Sequence, residues 1–316
     1  MTVKLLQRCA ILLGSLVASS VLVFAFMAVL PGDPARVALG VNASPQAVAQ
    51  LHQEFGLDRP LPAQYVDWVE GLVTMHPGTS YVSHAPIGSQ ISDRLLVSLW
   101  LVGTAMVIAL LVAVPVGTLM AVRHRRLSGL VLSAASQVGV AVPAFLAGIL
   151  LITLFAVKLR WLPANGWTPP VQDPAMFLKQ LVLPALSLGL VQGAVLTRYV
   201  RSAVLDVLRE DYVRTARAKG LRPMKALVRH GLRNAAVPVV TVLGLQLATL
   251  LIGAVVVEQV FVIPGLGSLL LESVANRDLI MVQDIVMLLV VAVLVVNFPV
   301  DALYLVIDPR LRAGAR

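Results

Sequence analysis

Residues 209–234 read REDYVRTARAKGLRPMKALVRHGLRN, a basic stretch set between two runs of membrane-grade hydrophobicity. A connection between spans needs only a few residues. This one takes 26 and carries helix signals on both sides of a break. Glu210 to Lys219 reads as a short helix, with Asp206, Glu210 and Asp211 near its start, where the positive end of the helix dipole favours carboxylates. Gly220 suits the position just past a helix end, where the backbone turns left-handed. Pro223 suits the first turn of a second helix, from about Met224 to Asn234, that runs on into the apolar residues from Ala236. Thr215, Ala216 and Ala218 are small enough to let another surface approach, and Arg214, Arg217 and Lys219 set cations around them. The shape is helix, break, helix. It suits a handle gripped from outside the membrane, or a basic amphipathic helix lying on the inner leaflet.

Outward from this stretch, the composition is that of an integral membrane protein. Of 316 residues, 58% are hydrophobic and 13% charged, against about 25% charged in soluble domains. Mean hydropathy is +0.88. Six blocks hold roughly the 20 apolar residues that a span needs: Ala10–Leu30, Val97–Val122, Leu130–Val157, Leu181–Val200, Ala236–Val260 and Ile280–Leu305. The expectation is an all-α membrane protein of six transmembrane helices. The third block, 28 residues long, is expected to tilt or to extend beyond the bilayer. The fourth is diluted by Pro184, Ser187, Gly189, Gln192 and Gly193. The first follows Lys4 and Arg8, exceeds a secretory signal core and lacks a cleavage site, so it is read as an uncleaved span. Cys9 is the sole cysteine, which excludes an intrachain disulfide.

Charge orients the spans. Of the 25 Lys and Arg, 18 fall on the side of the termini and of residues 209–234. The other side has Arg36, Arg59, Arg94, Lys158, Arg160, Lys179 and Arg277. The positive-inside rule puts both termini and the 209–234 stretch in the cytoplasm. The net charge of +9 follows from this arrangement, which anionic membrane lipid favours. No nucleic-acid motif accompanies the cations. The chain reads as a single transmembrane domain over 1–316, with an extracytoplasmic helical segment at 31–96 and a cytoplasmic coupling segment at 201–235.

Within 31–96, Ser44-Pro45 reads as an N-cap with proline in the first turn, opening a helix that ends at Gly56. Pro60 and Pro62 bracket a short extended piece. Gln64 to Val73 is amphipathic, with Tyr65, Trp68, Val69 and Leu72 at helical spacing. The segment is either a passive linker or, as its aromatic face favours, a cap over the outer mouth of the spans. Arg123 to Arg126 form a short turn. Trp161 and Trp167, in a loop with Pro163, Gly166 and Pro169, read as interface anchors. Pro115, Pro143, Pro184 and Pro299 fall inside spans, where they kink helices and need neighbours to satisfy freed carbonyls.

Enzyme chemistry is not written in this chain. There is no GxxxxGK[ST] phosphate loop and no HExxH. His52, His76, His84, His124 and His230 are scattered, and Gly265 and Gly267 read as a turn. No catalytic residue and no metal site is expected. Intramembrane polar residues are functional candidates: Gln137, Gln192, Gln246 and Asn297 within spans, Glu258 and Asp301 toward span ends. Ionisable groups inside the spans are too scarce for a proton- or sodium-coupled carrier.

The run Asp211 to Gly220, DYVRTARAKG, resembles the cytoplasmic signature of binding-protein-dependent ABC-transporter permeases, and more closely that of the dipeptide/oligopeptide/nickel (DppB-like) branch. The general signature is Glu-Ala-Ala, three residues, then Gly. Here Arg214-Thr215-Ala216 precede Gly220 at that spacing, with Arg in place of Glu and Thr in place of the first Ala. The likeness extends in order along the chain through Pro31-Gly32-Asp33-Pro34, Gly56-Leu57-Asp58-Arg59-Pro60, Gln64-Tyr65, Arg229-His230-Gly231-Leu232-Arg233-Asn234, Pro264-Gly265-Leu266-Gly267, Asn276-Arg277-Asp278 and Asp308-Pro309-Arg310. The resemblance implies a type I importer permease in the bacterial cytoplasmic membrane. A second homologous permease would make a heterodimer, two cytoplasmic ATPases would hold ATP and Mg, and an extracytoplasmic solute-binding protein would deliver substrate. This chain would bind no cofactor, only its partners and membrane lipid. Tyr212, Arg214, Thr215, Ala216, Arg217, Ala218, Lys219 and Gly220 would meet the ATPase. Dipeptides or oligopeptides are the first expectation for the substrate, then nickel chelates, haem or another small solute. A secondary carrier or a membrane scaffold would be the reading from another class.

Overall fold

Proline and glycine punctuation divides this chain into helices, and the computed structural model, which describes residues 2–29, 33–39 and 44–307, follows that punctuation closely. In order come α1 (Thr2–Val29), α2 (Pro34–Leu39), α3 (Pro45–Glu54), α4 (Leu61–Val73), α5 (Ile87–Val122), α6 (Leu127–Ala141) and α7 (Ala144–Leu151), which continues as a π-helix (Ile152–Lys158). Then follow α8 (Pro174–Arg209), α9 (Asp211–Ala218), α10 (Pro223–Ala226), a π-helical turn (Leu227–Gly231), α11 (Leu232–Val260), α12 (Leu266–Ala275) and α13 (Leu279–Ile307). The Pro31-Gly32 and Asp308-Pro309-Arg310 motifs lie outside the described residues.

α1, α5, α8, α11 and α13 contain stretches long and apolar enough to cross a membrane, and α6 with α7 makes a sixth span if counted as one. That pair corrects the expectation of a tilted or protruding third span, because its two halves are bent by 98°. Pro143 has no N–H for the helical ladder and disfavours helical backbone at the preceding residue. Val142 is accordingly extended, and α7 restarts with Ala147 N donating to Pro143 O. Pro115, Pro184 and Pro238 instead sit within continuous helices.

The least apolar block forms the most buried helix. In α8, 61% of the most apolar window is buried, against 6% in α1, so α8 is an interior helix and α1 offers its side chains to lipid or to another subunit. The residues that dilute α8 are the reason. A Cβ at Gly189 would stand 2.8 Å from Ala105 O, so glycine there lets the α5 and α8 backbones touch.

The chain folds as two compact units: Met1–Val97 with Pro264–Phe298, and Ser98–Ile263 with Pro299–Arg316. In the first, Ser44 caps α3 by accepting from Ala47 N, and Gly56 follows the helix at φ +67°. Pro60 and Pro62 do not bracket an extended piece. Pro60 is the N-cap of α4, and Pro62 sits in its first turn, where the missing N–H costs nothing. The aromatic face of α4 packs on α1: Tyr65 and Ser20 share a hydrogen bond of 2.8 Å, and the Phe24 ring lies 5.4 Å from Tyr65 and 6.0 Å from Trp68. Gly265 and Gly267, read as a turn, open α12. Its Leu269 joins Ile87, Met281 and Ile285 in a buried cluster.

The core of the second unit is built on α8. Leu196, Val200, Ala203, Val204 and Val207 gather with Ala109, Ala113 and Ala121 of α5 and with Ala235 and Val239 of α11. Trp167 packs edge-on against Phe177 at 5.2 Å, and Trp161 is exposed.

Candidate functional site

α8 ends at Arg209, and extended backbone at Glu210 turns the chain into α9. Asp211 lies in the first turn and Arg217 in the last, each at the helix end its charge favours. The α9 helix presents two faces. Val213, fully buried, and Ala216, 8% exposed, enter the core cluster with α8, α10 and α11. Tyr212, Arg214, Thr215, Arg217, Ala218 and Lys219 face outward. Ala216 therefore seats α9 on this chain's own helices, and the surface open to a partner is narrower than the expected set by that residue. The Arg214–Asp211 pair at 3.5 Å is exposed on both sides and adds little.

The break after α9 is built as its residues demand. Gly220 N donates to Arg217 O, Leu221 N donates to Ala216 O, and Gly220 sits at φ +90°. This is a complete Schellman stop, which satisfies the last carbonyls and needs a left-handed residue. Pro223 opens α10, and the π-helical turn then leads without interruption into α11. The turn ends at Gly231, where a Cβ would lie 2.6 Å from Val207 Cγ1 and 3.0 Å from Leu227 Cδ1. Glycine here permits the close approach of α8. Asn234, at the start of α11, donates through Nδ2 to Tyr212 Oη at 2.8 Å. Through these contacts α9 is fixed to the last turns of α8 and to the root of α11.

Among the intramembrane polar candidates, Gln192 of α8 donates through Nε2 to Gln246 Oε1 of α11 at 2.5 Å. Gln137 is exposed on α6, and Asn297 is half-buried on α13, in the other unit. Glu258 is buried and accepts from Ser98 Oγ at 2.5 Å. The side chain of Asp301 lies outside the described residues. Sequence reasoning missed Asp278 and Asp284, both buried where α13 begins. A carboxylate inside the sixth apolar block was the available signal. Trp68 Nε1 donates to Asp284 Oδ1 at 2.7 Å, and Ser80 Oγ donates to Asp278. Burial first, then the charges of Asp278 and Asp284, push the neighbouring Tyr81 phenol up to about 12.

Five or six helices long and apolar enough to cross a membrane, with a seated and glycine-terminated helix between α8 and α11 in sequence, are the elements of a membrane permease. Residues 113–313 match the family described as the binding-protein-dependent transport system inner membrane component, and residues 1–102 match the corresponding N-terminal region. The glutathione transport system permease protein GsiC of Salmonella choleraesuis (strain SC-B67) is 41% identical over 307 residues, covering 97% of this chain and 98% of that protein. GsiC of Escherichia coli (strain K12) is 40% identical with the same coverage. A chain of an amino acid ABC transporter superposes with a TM-score of 0.49 at 17% identity, over 68% of this chain and 92% of that one, a likeness too slight to build on. The chain belongs to the binding-protein-dependent permease family: it is a multi-pass inner-membrane permease subunit of an ABC importer.

Proposed function

We propose that this chain forms one half of the translocation pathway of an importer for short peptides. A second homologous permease completes the pathway as a heterodimer. Two cytoplasmic ATPases grip α9, and an extracytoplasmic solute-binding protein delivers the substrate. ATP and Mg stay with the ATPases, and this chain catalyses no reaction. The relatives named above are glutathione permeases, and glutathione is a peptide-like solute. That favours dipeptides to tripeptides over nickel chelates or haem.

The observation that carries the coupling role is the double seating of α9. Its inner face is bound to α8 and α11, and its outer face presents Tyr212, Arg214, Thr215, Arg217, Ala218 and Lys219. ATPase closure displaces α9. The Tyr212–Asn234 bond and the Val213 and Ala216 contacts carry the displacement into the roots of two spans, which changes the access of the pathway from one side to the other. A conformational change of this kind needs contacts that differ between two states, and an ATPase that opens and closes on α9 supplies them. The Gln192–Gln246 pair, which joins α8 to α11, is the candidate lining of the route.

The test is uptake in proteoliposomes containing the whole complex. Thr215→Trp with Ala218→Trp adds bulk on the outer face only. Uptake of labelled di- and tripeptides falls, while the amount of chain in the membrane stays constant. Unchanged uptake refutes the docking role, and a complex purified in mild detergent without an ATPase refutes the importer assembly.

A further inference from the structure

Besides the packing of Ile87 on Met281 and Ile285, the 31–96 segment reaches the start of α13 through hydrogen bonds to two buried carboxylates far along the chain. Trp68 of α4, 8% exposed, donates to Asp284, which is 2% exposed. Ser80, 1% exposed, donates to Asp278, 4% exposed, and Tyr81 N donates to the other Asp278 oxygen at 3.4 Å. Bonds to a carboxylate are roughly twice as strong as neutral ones. A single bond acts as a pivot; two, at carboxylates six residues apart, also block rotation and sliding. Stability alone does not explain these acids, because a buried carboxylate is costly unless fully paired. Asp284 Oδ2 is buried with no partner among the described residues. Nor does bulk packing hold the joint on all sides. A cavity of about 640 Å³ opens beside it, lined by Trp68, Tyr81 and Gln283 together with Arg59 and Asp67.

We propose that Trp68–Asp284, from α4, and Ser80–Asp278, from the connection after it, form a clasp that makes this part of the 31–96 segment travel with α13, so that the load a binding protein places on the segment reaches a span. Trp68 and Asp284 are positioning residues for transport. This inference rests on the importer reading.

The experiment uses the whole complex, with its ATPases and binding protein, in lipid nanodiscs. ATP hydrolysis is measured with and without the loaded binding protein. Trp68→Phe keeps the ring against Phe24 and removes the donor. Asp284→Leu removes the acceptor, and Asp284→Asn restores one. The two deletions lower the binding-protein-stimulated rate roughly tenfold, the scale of one charge-assisted bond. They leave the unstimulated rate intact, and Asp284→Asn, which accepts only a neutral hydrogen bond, recovers part of the loss. Equal stimulation in Trp68→Phe and wild type overturns the clasp. A wild-type complex that hydrolyses no ATP overturns the importer reading instead. A second measurement works even if stimulation is small: spin labels at Val66→Cys and Val295→Cys on a Cys9→Ser background. Their separation stays fixed between resting and ATP-bound complexes when the clasp is intact, and broadens in Trp68→Phe. A wild-type shift of about 5 Å, one helical turn, overturns the proposal.

Discussion

Gly220 and Gly231 lie eleven residues apart in the same basic stretch, and substituting alanine at each should fail for different reasons. At Gly220 the backbone sits at φ +90°, and an added Cβ meets nothing within 4 Å. The cost of Gly220→Ala is backbone strain, about 1–2 kcal/mol. At Gly231 the backbone is ordinary, φ −113°, but the Cβ would stand 2.6 Å from Val207 Cγ1. Gly231→Ala overpacks the joint between α8 and the root of α11, at roughly 1–3 kcal/mol. Val207→Ala deletes the offending methyl. Alone it destabilises, because Val207 is buried. Combined with Gly231→Ala it makes room, and contacting sites couple by about 0.5–3 kcal/mol. The assay is a double-mutant cycle on unfolding midpoints of the purified complex in mild detergent, read alongside peptide uptake. Val207→Ala should rescue Gly231→Ala and leave Gly220→Ala unrescued. Equal rescue of both glycine variants, or of neither, refutes the steric account of this joint.

Three further outcomes follow from the geometry. Ala216→Trp should unseat α9 and lower the yield of folded chain, whereas Thr215→Trp should insert normally, as a comparison of membrane yields will show. Gln192→Leu and Gln246→Leu should each cost roughly 0.6–2 kcal/mol, the range for hydrogen bonds between membrane helices; the double variant should cost less than their sum, as a thermal-unfolding cycle will report. The third concerns pH. His52 donates to Asp33 at 2.7 Å and lies 3.5 Å from Asp58. The hydrogen bond to Asp33 raises His52 above 6.5. Burial would raise Asp33, but the His52 hydrogen bond and charge, with the Ala35 and Arg36 amides, hold it below 3.8. The pair therefore stabilises α3 fully between about 3.8 and 6.5 and weakens as pH rises through the raised His52 value or falls through the lowered Asp33 value. Protection of the α3 amides, after division by the intrinsic exchange rate at each pH, should fall on the alkaline side, and His52→Ala should abolish that fall.

The helices were legible because proline and glycine act on the local backbone. Ser44-Pro45, Gly56, Gly220 and Pro223 each do in three dimensions what their chemistry requires at one or two bonds' range. The span count was legible for a similar reason, since length and apolarity suffice. Tertiary facts were not legible. Whether Pro143 breaks a span or is absorbed, as Pro184 is, depends on the neighbours that take up freed carbonyls. Ala216 looked like docking surface because a small residue on a helix carries no sign of which face is covered. Asp284 and Trp68 lie 216 residues apart, and no periodicity connects them. The proposal of a peptide-like solute rests on relatives, because no pattern of residues in this chain spells out a substrate.

The bend between α6 and α7 bears on how insertions spread. One residue added to a continuous helix rotates everything beyond it by about 100°, so an insertion early in α8 would turn its buried face outward along the rest of its 36 residues. In the α6–α7 pair the helical phase is reset at Val142-Pro143. An insertion in α6 turns only the 15 residues of α6, while α7 keeps its face. The third span is thus two independently registered pieces, and the damage done by a frame-preserving insertion stops at the elbow.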